Sequence, residues 1–245
     1  MSSRVYNYVV RYINRFTSET KFLVPASLGD DLRAWAREKL GPDPNGGGPF
    51  QDQYVVTSIY FDTDAHDVYQ RKGSYSKSKY RIRHYGNDKA AFLERKLRTR
   101  LFLSKRRTRV PLDTISQLRF DAADPTHPGF WFLRRIVVRQ LHPVCQIRYS
   151  RTARMGETEE GHVRMTLDAG LAALPTRVAN FNSAPGKALA EGLMVLELKY
   201  AGVFPHIFKD MVDRFGLRPH PASKYRFAVH ALHLAAPHVS ATIRG

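Results

Sequence analysis

The sequence has almost no cysteine and no long apolar run. Cys145 is the only cysteine among 245 residues, which excludes an internal disulfide and a zinc site built from cysteine thiolates. No segment approaches the roughly 18 consecutive apolar residues of a membrane-spanning helix. The segment Met1–Phe16 lacks the apolar core and the small-residue cleavage site of a secretory signal. We therefore expect a soluble protein in a reducing compartment, cytoplasmic by default, without a membrane span.

Acidic residues are scarce relative to basic ones. The chain has 39 Lys and Arg against 22 Asp and Glu, a formal charge of +17. Hydrophobic residues make up 43% of the chain and aromatic residues 11%, which is enough for a core and excludes wholesale disorder. A charge of this size predicts a polyanionic partner: a nucleic acid, an anionic membrane or a phosphate-rich substrate.

The positive charge is concentrated in one stretch. Between Arg71 and Arg109 there are 15 basic and only 2 acidic residues, so this stretch carries +13 of the +17. A disordered basic arm would lack aromatic and branched apolar residues. This stretch contains both, for example Tyr80, Ile82 and Phe92, so we expect it to be folded.

The pattern of apolar residues predicts an α+β domain. No repeat or linker divides the chain, so residues 1–245 are interpreted as a single domain with about eight largely antiparallel strands. Alternation predicts strands, and helical spacing or turn residues predict helices. The predicted strands are Glu19–Val24, Tyr54–Phe61, Lys79–Tyr85, Ala90–Leu97, Arg100–Val110, Val144–Arg151, His162–Leu167 and Met194–Tyr200; the predicted helices are Ser27–Leu40, Asp113–Phe120, Gly129–Leu141, Phe204–Phe215 and Ser223–Ala235.

Several predicted strands have one strongly charged face. Lys79, Arg81 and Arg83 share a face, and Tyr80 and Ile82 share the opposite one, because side chains two apart on a strand point the same way. In an ordinary sheet the charged face would be a solvated exterior. That interpretation stays open at this point.

Three E-x-K triplets favour a different interpretation. They place a carboxylate and an ammonium on the same face of three separate strands, at Glu19–Lys21, Glu94–Lys96 and Glu197–Lys199. Such a set suits a common cavity in which cations bind phosphates and carboxylates bind Mg²⁺ or Mn²⁺. Closing the sheet into a barrel would enclose the charged faces and leave helices to cover the apolar outside.

Eight short motifs then occur in a fixed order, and together they resemble a known family. The chain resembles, from about Thr17 to Leu234, the catalytic domain of the vacuolar transporter chaperone (VTC) polyphosphate polymerases, in the triphosphate tunnel metalloenzyme superfamily. The motifs that carry the resemblance are Glu19–Val24, Thr57–Thr63, Lys79–Gly86, Phe92–Lys96, Tyr149–Ala153, Val163–Asp168, Val195–Tyr200 and Ser223–Tyr225.

The resemblance implies a closed, eight-stranded antiparallel tunnel and a reaction. In that family the γ-phosphate of ATP is transferred to inorganic polyphosphate with Mn²⁺ or Mg²⁺, so the implied partners are ATP and polyphosphate or triphosphate. The residues implied as catalytic are Arg81, Arg83, Arg151, Arg164 and Lys224. Those implied in substrate binding are Lys21, Lys79, Lys96, Lys199, Ser223 as a hydrogen-bond donor, and Lys105 or Arg107; those implied in metal binding are Glu197, Glu94 and Glu19.

The residues leave alternatives open. Arg151 and Arg164 could pair with Asp168 or another acid, and the three glutamates could serve only as partners of nearby cations. The same tunnel could hydrolyse triphosphate, or bind polyphosphate without catalysis. A nucleic-acid partner is disfavoured, because glutamates in an E-x-K pattern would repel a phosphate backbone. Asp62 is interpreted as a turn-forming residue at the end of a strand.

Overall fold

An antiparallel sheet forms the centre of the protein. The computed structural model describes residues 18–98 and 103–235. Three short 3-10 segments, Ala26–Leu28, Gly73–Lys77 and Leu112–Gln117, lie between the helices and strands. The helices and strands are, in chain order, β1 (Ser18–Pro25), α1 (Gly29–Lys39), β2 (Gly41–Pro42), β3 (Gln53–Asp62), α2 (Asp67–Gln70), β4 (Ser78–Tyr85), β5 (Ala90–Arg98), β6 (Leu103–Pro111), α3 (Phe130–Val138), β7 (His142–Thr158), β8 (Gly161–Pro175), β9 (Lys187–Ala188), β10 (Leu193–Tyr200), α4 (His206–Arg214) and α5 (Lys224–Ala231).

Eight strands are hydrogen-bonded in the order β1-β10-β8-β7-β3-β4-β5-β6, and the short strands β2 and β9 pair with β7 and β8. The α+β class and the eight predicted strands are therefore confirmed. Glu19 of β1 lies 3.2 Å from the ammonium of Lys96 on β5, so the two ends of the sheet approach each other. Within the described ranges β1 and β6 do not pair through their backbones, so closure of the barrel stays a prediction.

Helices cover the apolar face of the sheet. One buried cluster joins Ile82 of β4 to Phe132 of α3 and Tyr225 of α5, and a second joins Phe22 of β1 to Trp35 of α1. Ile82 and Phe22 are each next in sequence to a charged residue that points to the other side of the sheet. The alternation thus separates an apolar outer face from a charged inner one. No helix in the described part of the chain is long and apolar enough to cross a membrane.

Some elements differ from their predicted extents. β7 and β8 are 17 and 15 residues long and exceed the predicted strands, with a bulge in their pairing between Arg148 and Ser150. The predicted helix Asp113–Phe120 is instead a 3-10 segment, Leu112–Gln117. The helix α2 was not predicted, because four residues are too few for a periodic signal. The first residues of the predicted strand Arg100–Val110 lie outside the described residues, and β6 begins at Leu103.

Ile82→Ala should destabilise the fold strongly. The Ile82 side chain is fully buried in the cluster that attaches α3 to the sheet, so its truncation leaves a cavity. We expect the free energy of unfolding in urea to fall by about 2–5 kcal/mol. Val138→Ala on α3 is the control, because Val138 is 68% exposed, and it should change the value by less than about 0.5 kcal/mol. Equal effects of the two variants would contradict this placement of the core.

Candidate functional site

The inner face of the sheet lines a cavity of about 1100 Å³. Its lining contains eight Lys or Arg side chains against four Asp or Glu. The charged side chains reach one space because the inward-facing positions of several strands alternate with apolar ones. Ten of the residues predicted from the sequence line the cavity: Glu19, Arg81, Arg83, Glu94, Lys96, Lys105, Arg107, Arg151, Arg164 and Lys199.

Glu94 of β5 is the centre of the densest charge cluster. Its carboxylate lies 2.7 Å from Nε of Arg81, 2.8 Å from Nζ of Lys105 and 2.9 Å from Nε of Arg107. Burial disfavours its ionised form, but these cations and Arg83 outweigh burial and hold the pKa of Glu94 well below its usual value. Both Lys105 and Arg107 therefore reach the cavity, which answers a question that the sequence left open.

A second cluster lies on β1 and β10. The ammonium of Lys21 is 3.0 Å from one oxygen of Glu19 and 2.9 Å from one oxygen of Glu197, so one lysine lies between two carboxylates. Lys96 adds an ion pair to Glu19 at 3.2 Å. Burial and the neighbouring Glu197 raise the pKa of Glu19, but the lysines prevail and its pKa is about 2. Glu19 is therefore a carboxylate at any physiological pH.

Asp168 of β8 joins Arg151 of β7 to the helix α5. Arg151 donates to the two Asp168 oxygens at 2.6 and 2.8 Å, and the Lys224 ammonium lies 2.6 Å from Asp168 and 3.3 Å from Glu197. Arg151 thus makes the ion pair that the sequence analysis weighed as an alternative to phosphate binding. Its bidentate bond occupies one edge of the guanidinium and holds the group rigidly at the cavity wall.

Arg164 has a partner that the sequence analysis missed. Its Nε donates to Asp43 at 2.8 Å and its Nη2 donates to the Tyr54 hydroxyl at 3.1 Å. Asp43 lies in the glycine-rich segment 41–48 before β3, where no strand or helix pattern marks a side chain as functional. Only the folded chain brings it to a residue 121 positions away.

Five predicted residues lie beyond the lining of the cavity, at the β1–β10 and α5 side: Lys21, Lys79, Glu197, Ser223 and Lys224. Lys79 donates to Ser223 Oγ at 2.9 Å, and Ser223 also caps α5 by accepting from the Arg226 backbone N–H at 3.4 Å. Ser223 was predicted to donate a hydrogen bond, and here its oxygen accepts two. Burial, with Lys21 and Lys96 nearby, lowers the pKa of Lys79 to about 7.

An aromatic row lies beside the charged clusters. The ring centroids of Tyr54 and Tyr85 are 5.8 Å apart, and those of Tyr85 and Phe92 are 5.6 Å apart. The Arg107 guanidinium lies 3.7 Å above the Phe92 ring and donates to the Tyr85 hydroxyl at 2.9 Å. These rings stack on the arginine and limit its freedom, so the guanidinium is held toward the cavity.

The carboxylates suit a divalent cation only in a limited way. Glu19 and Glu197 converge on one point, which the Lys21 ammonium occupies, and carboxylate oxygens are ligands for Mg²⁺ and Mn²⁺. Across the described ranges no three His, Cys, Asp or Glu side chains form a cluster that could enclose an ion. Mg²⁺ commonly takes one or two carboxylates and completes its shell with substrate phosphates. Glu19 and Glu197 would therefore hold an ion only together with phosphate, and the metal-binding roles of Glu19, Glu197 and Glu94 all stay predictions.

Comparison with known proteins agrees with this geometry. The model of the VTC domain family matches residues 16–233. The chain belongs to the VTC domain family. The resemblance stated from the sequence is thereby confirmed over most of the chain. A search of curated proteins found no match.

Two solved structures are similar to this VTC domain over most of their length. A candidate adenylate cyclase from Bacillus halodurans has a TM-score of 0.53 at 17% identity, over 85% of this chain and 94% of that chain. A candidate adenylyl cyclase from Hippeastrum with a dominant triphosphatase activity has a TM-score of 0.45 at 16% identity, over 90% and 98% of the two chains. At these identities the first likeness establishes the fold alone.

Glu94→Gln should lower stability at neutral pH, because three cations lose their common anion. We expect a loss of about 3 kcal/mol or more in the free energy of unfolding at pH 7. The folded pKa is depressed, so the stabilisation by Glu94 is complete above about pH 4.5 and is lost as the pH falls through the folded value. Denaturation of both proteins from pH 7 to pH 3 should therefore show a shrinking difference. Asp121→Asn, at an exposed pair with Arg119, is the control; a Glu94→Gln variant as stable as this control would contradict the cluster.

Lys199→Met should remove a second contribution to stability that, like the contribution of Glu94, increases with pH, but in a higher pH range. Burial lowers the pKa of Lys199 to about 7, even though Glu197 and Glu19 lie 3.8 and 3.9 Å from its ammonium. The unfolded chain therefore binds more protons above pH 7, and wild-type stability should gain about 2 kcal/mol on the variant between pH 6 and pH 9. Lys187→Met, at an exposed position of β9, should show no such trend. A constant difference between wild type and Lys199→Met would rule out the lowered pKa.

Proposed function

We propose that this VTC domain is a polyphosphate polymerase that transfers the γ-phosphoryl group of ATP to inorganic polyphosphate inside a closed tunnel formed by one domain. The observation that carries the proposal is the environment of Arg83. Its side chain is buried and lines the cavity, and among the described residues no carboxylate pairs with it. Its Nε donates to Ser58 Oγ at 2.9 Å, which leaves the two terminal nitrogens for another acceptor. A buried guanidinium that no described carboxylate contacts directly keeps donors available for a bound anion.

The charge balance of the cavity supports a polyanion. The eight cations and four carboxylates of the lining leave an excess of about four positive charges, comparable to the charge of a triphosphate. Arginine grips phosphate oxygens through paired N–H groups, whereas lysine acts as a point charge. We assign Arg81, Arg83, Arg151 and Arg164 to the reacting phosphates. Lys96, Lys105, Arg107 and Lys199 are assigned to the rest of the chain.

The transfer itself needs little covalent chemistry from the protein. An oxygen of the terminal phosphate of polyphosphate attacks the γ-phosphorus of ATP, a new P–O bond forms, the bond to the β–γ bridging oxygen breaks, and ADP leaves. The attacking phosphate is already anionic, so the step requires no general base. Phosphoryl transfer depends on in-line positioning and on neutralising charge, which the arginines supply. A Mg²⁺ or Mn²⁺ ion held by Glu19 and Glu197 would supply further charge neutralisation on the phosphate oxygens.

Purified protein incubated with ATP and Mn²⁺ should form ADP and polymer phosphate in equal amounts. Arg83→Ala should reduce this rate about 100-fold or more, because it removes a preorganised donor to the reacting phosphates. Glu197→Gln should also reduce it, since a carboxylate near Lys21 and Lys224 is lost. The measurement follows ADP, free phosphate and long-chain polyphosphate in parallel.

Arg119→Ala is the matched control. Arg119 is exposed and, within the described residues, forms an ion pair with Asp121 alone, so its removal should leave the rate unchanged. If ADP formation is matched by free phosphate instead of polymer, the protein is a triphosphatase and the proposed polymerase activity is rejected. Tight polyphosphate binding without turnover would identify a binding protein and reject both enzymes.

A further inference from the structure

Asp62, at the end of β3, makes more bonds than a turn requires. Its carboxylate is fully buried and accepts four hydrogen bonds. Three come from nearby backbone N–H groups, those of Thr63 and Val68 at 2.8 Å and of Tyr69 at 2.9 Å. The fourth comes from the hydroxyl of Tyr225 at 2.5 Å, 163 positions further along the chain. The local turn explains the first three bonds but not the fourth.

The fourth bond connects Asp62 to the charged clusters by two routes. Tyr225 follows Lys224, whose ammonium reaches Asp168 and Glu197. The Tyr225 ring also stacks on the Tyr60 ring, with centroids 5.3 Å apart and planes inclined by 17°. The Tyr60 hydroxyl in turn accepts from Nη1 of Arg81 at 3.2 Å.

The N-terminus of α5 carries an unfavourable charge, so it requires stabilising contacts from outside the helix. Lys224 is the first residue of the helix, where the helix dipole is positive and disfavours an ammonium, and its side chain is buried. No acidic residue occupies the first turn of α5. A second tie, from Nη1 of Arg226 to the carbonyl oxygen of Tyr69 at 2.7 Å, also joins α5 to α2. Two hydrogen bonds, from Tyr225 to Asp62 and from Arg226 to Tyr69, thus attach the start of α5 to the end of β3 and to α2.

We propose that Asp62 and Tyr225 are positioning residues for phosphate binding, which act by fixing the start of α5 and thereby the Lys224 ammonium. The inference rests on the proposed function, because Lys224 acts on phosphate binding through Asp168, which holds Arg151 at the cavity wall. It goes beyond that function by extending the binding machinery to a carboxylate that faces away from the cavity. Asp62 holds α2 and α5 together, and α5 holds Lys224 between Asp168 and Glu197.

The test is a double-variant cycle on the binding of inorganic tripolyphosphate, measured by titration calorimetry at a temperature where circular dichroism shows every protein folded. Lys224→Met should weaken binding about tenfold, because Asp168 and Glu197 lose a cation that offsets their negative charge beside the phosphate site. Tyr225→Phe keeps the ring stack and removes only the bond to Asp62, and it should weaken binding about threefold to fivefold. In the Lys224→Met background the same change should have no further effect, because the residue through which it acts is gone.

Tyr75→Phe is the control for losing a partly buried tyrosine hydroxyl. Tyr75 donates to the Arg139 carbonyl oxygen at 3.3 Å and has no bond to α5, so this variant should bind tripolyphosphate as the wild type does. A purely stabilising role for Tyr225 would lower the melting temperature and leave the dissociation constant unchanged, as in this control. That result, or an equal loss from Tyr225→Phe in both backgrounds, would overturn the positioning role while Lys224→Met still supports the binding site.

A second measurement does not depend on the Lys224 variant. Reaction of lysines with an amine-specific acylating reagent, read by peptide mass spectrometry, should label Lys224 faster in Tyr225→Phe than in wild type. Unchanged labelling of Lys224 would also overturn the positioning role. A wild-type protein that fails to bind tripolyphosphate would overturn this inference and the proposed function together, and so is distinguishable from failure of the inference alone.

Discussion

Repulsion among the cations of the inner face is the constraint on which the structure depends. Eight Lys and Arg side chains surround one cavity, and their mutual repulsion is costly unless anions lie between them. The chain meets this constraint by placing carboxylates between the cations: Glu94 among three of them, Glu19 among lysines, and Asp168 between Arg151 and Lys224. The E-x-K triplets are the sequence pattern that produces this alternation of carboxylates and cations. They put the acid and the base on the same strand face, two residues apart.

The compensation by carboxylates is incomplete at two of the basic residues. Arg83 has no carboxylate partner among the described residues, and Lys79 is held by the Ser223 hydroxyl. Because burial lowers the pKa of Lys79 and Lys199 to about 7, both lysines can gain a proton when an anion approaches. In the proposed function, Lys199 in the cavity wall and Lys79 beyond it would therefore adjust the positive charge that a bound phosphate meets.

The sequence predicts the parts of this site that depend on local pattern. Alternation places Arg81, Arg83 and Glu94 on inward faces, and the motifs identify the family and the fold. Contacts between distant parts of the chain carry no local signal: Asp43 meets Arg164 through a glycine-rich loop, and Asp62 meets Tyr225 across 163 positions. Asp62 was interpreted correctly as a turn residue, because its three backbone bonds are local. The fourth bond, from the Tyr225 hydroxyl, depends on the position of α5 against the sheet. The residue pattern of a single strand does not determine that position.

The Lys21 ammonium between Glu19 and Glu197 has a consequence for salt dependence. In the proposed function, these carboxylates already neutralise part of the positive charge that a phosphate chain would meet, so binding would release fewer ions from solution. The affinity for phosphate chains would then decline with ionic strength according to the excess of about four positive charges, and less steeply than eight separate cations would require. The ion pairs that hold the cluster together would thus also limit how strongly salt weakens phosphate binding.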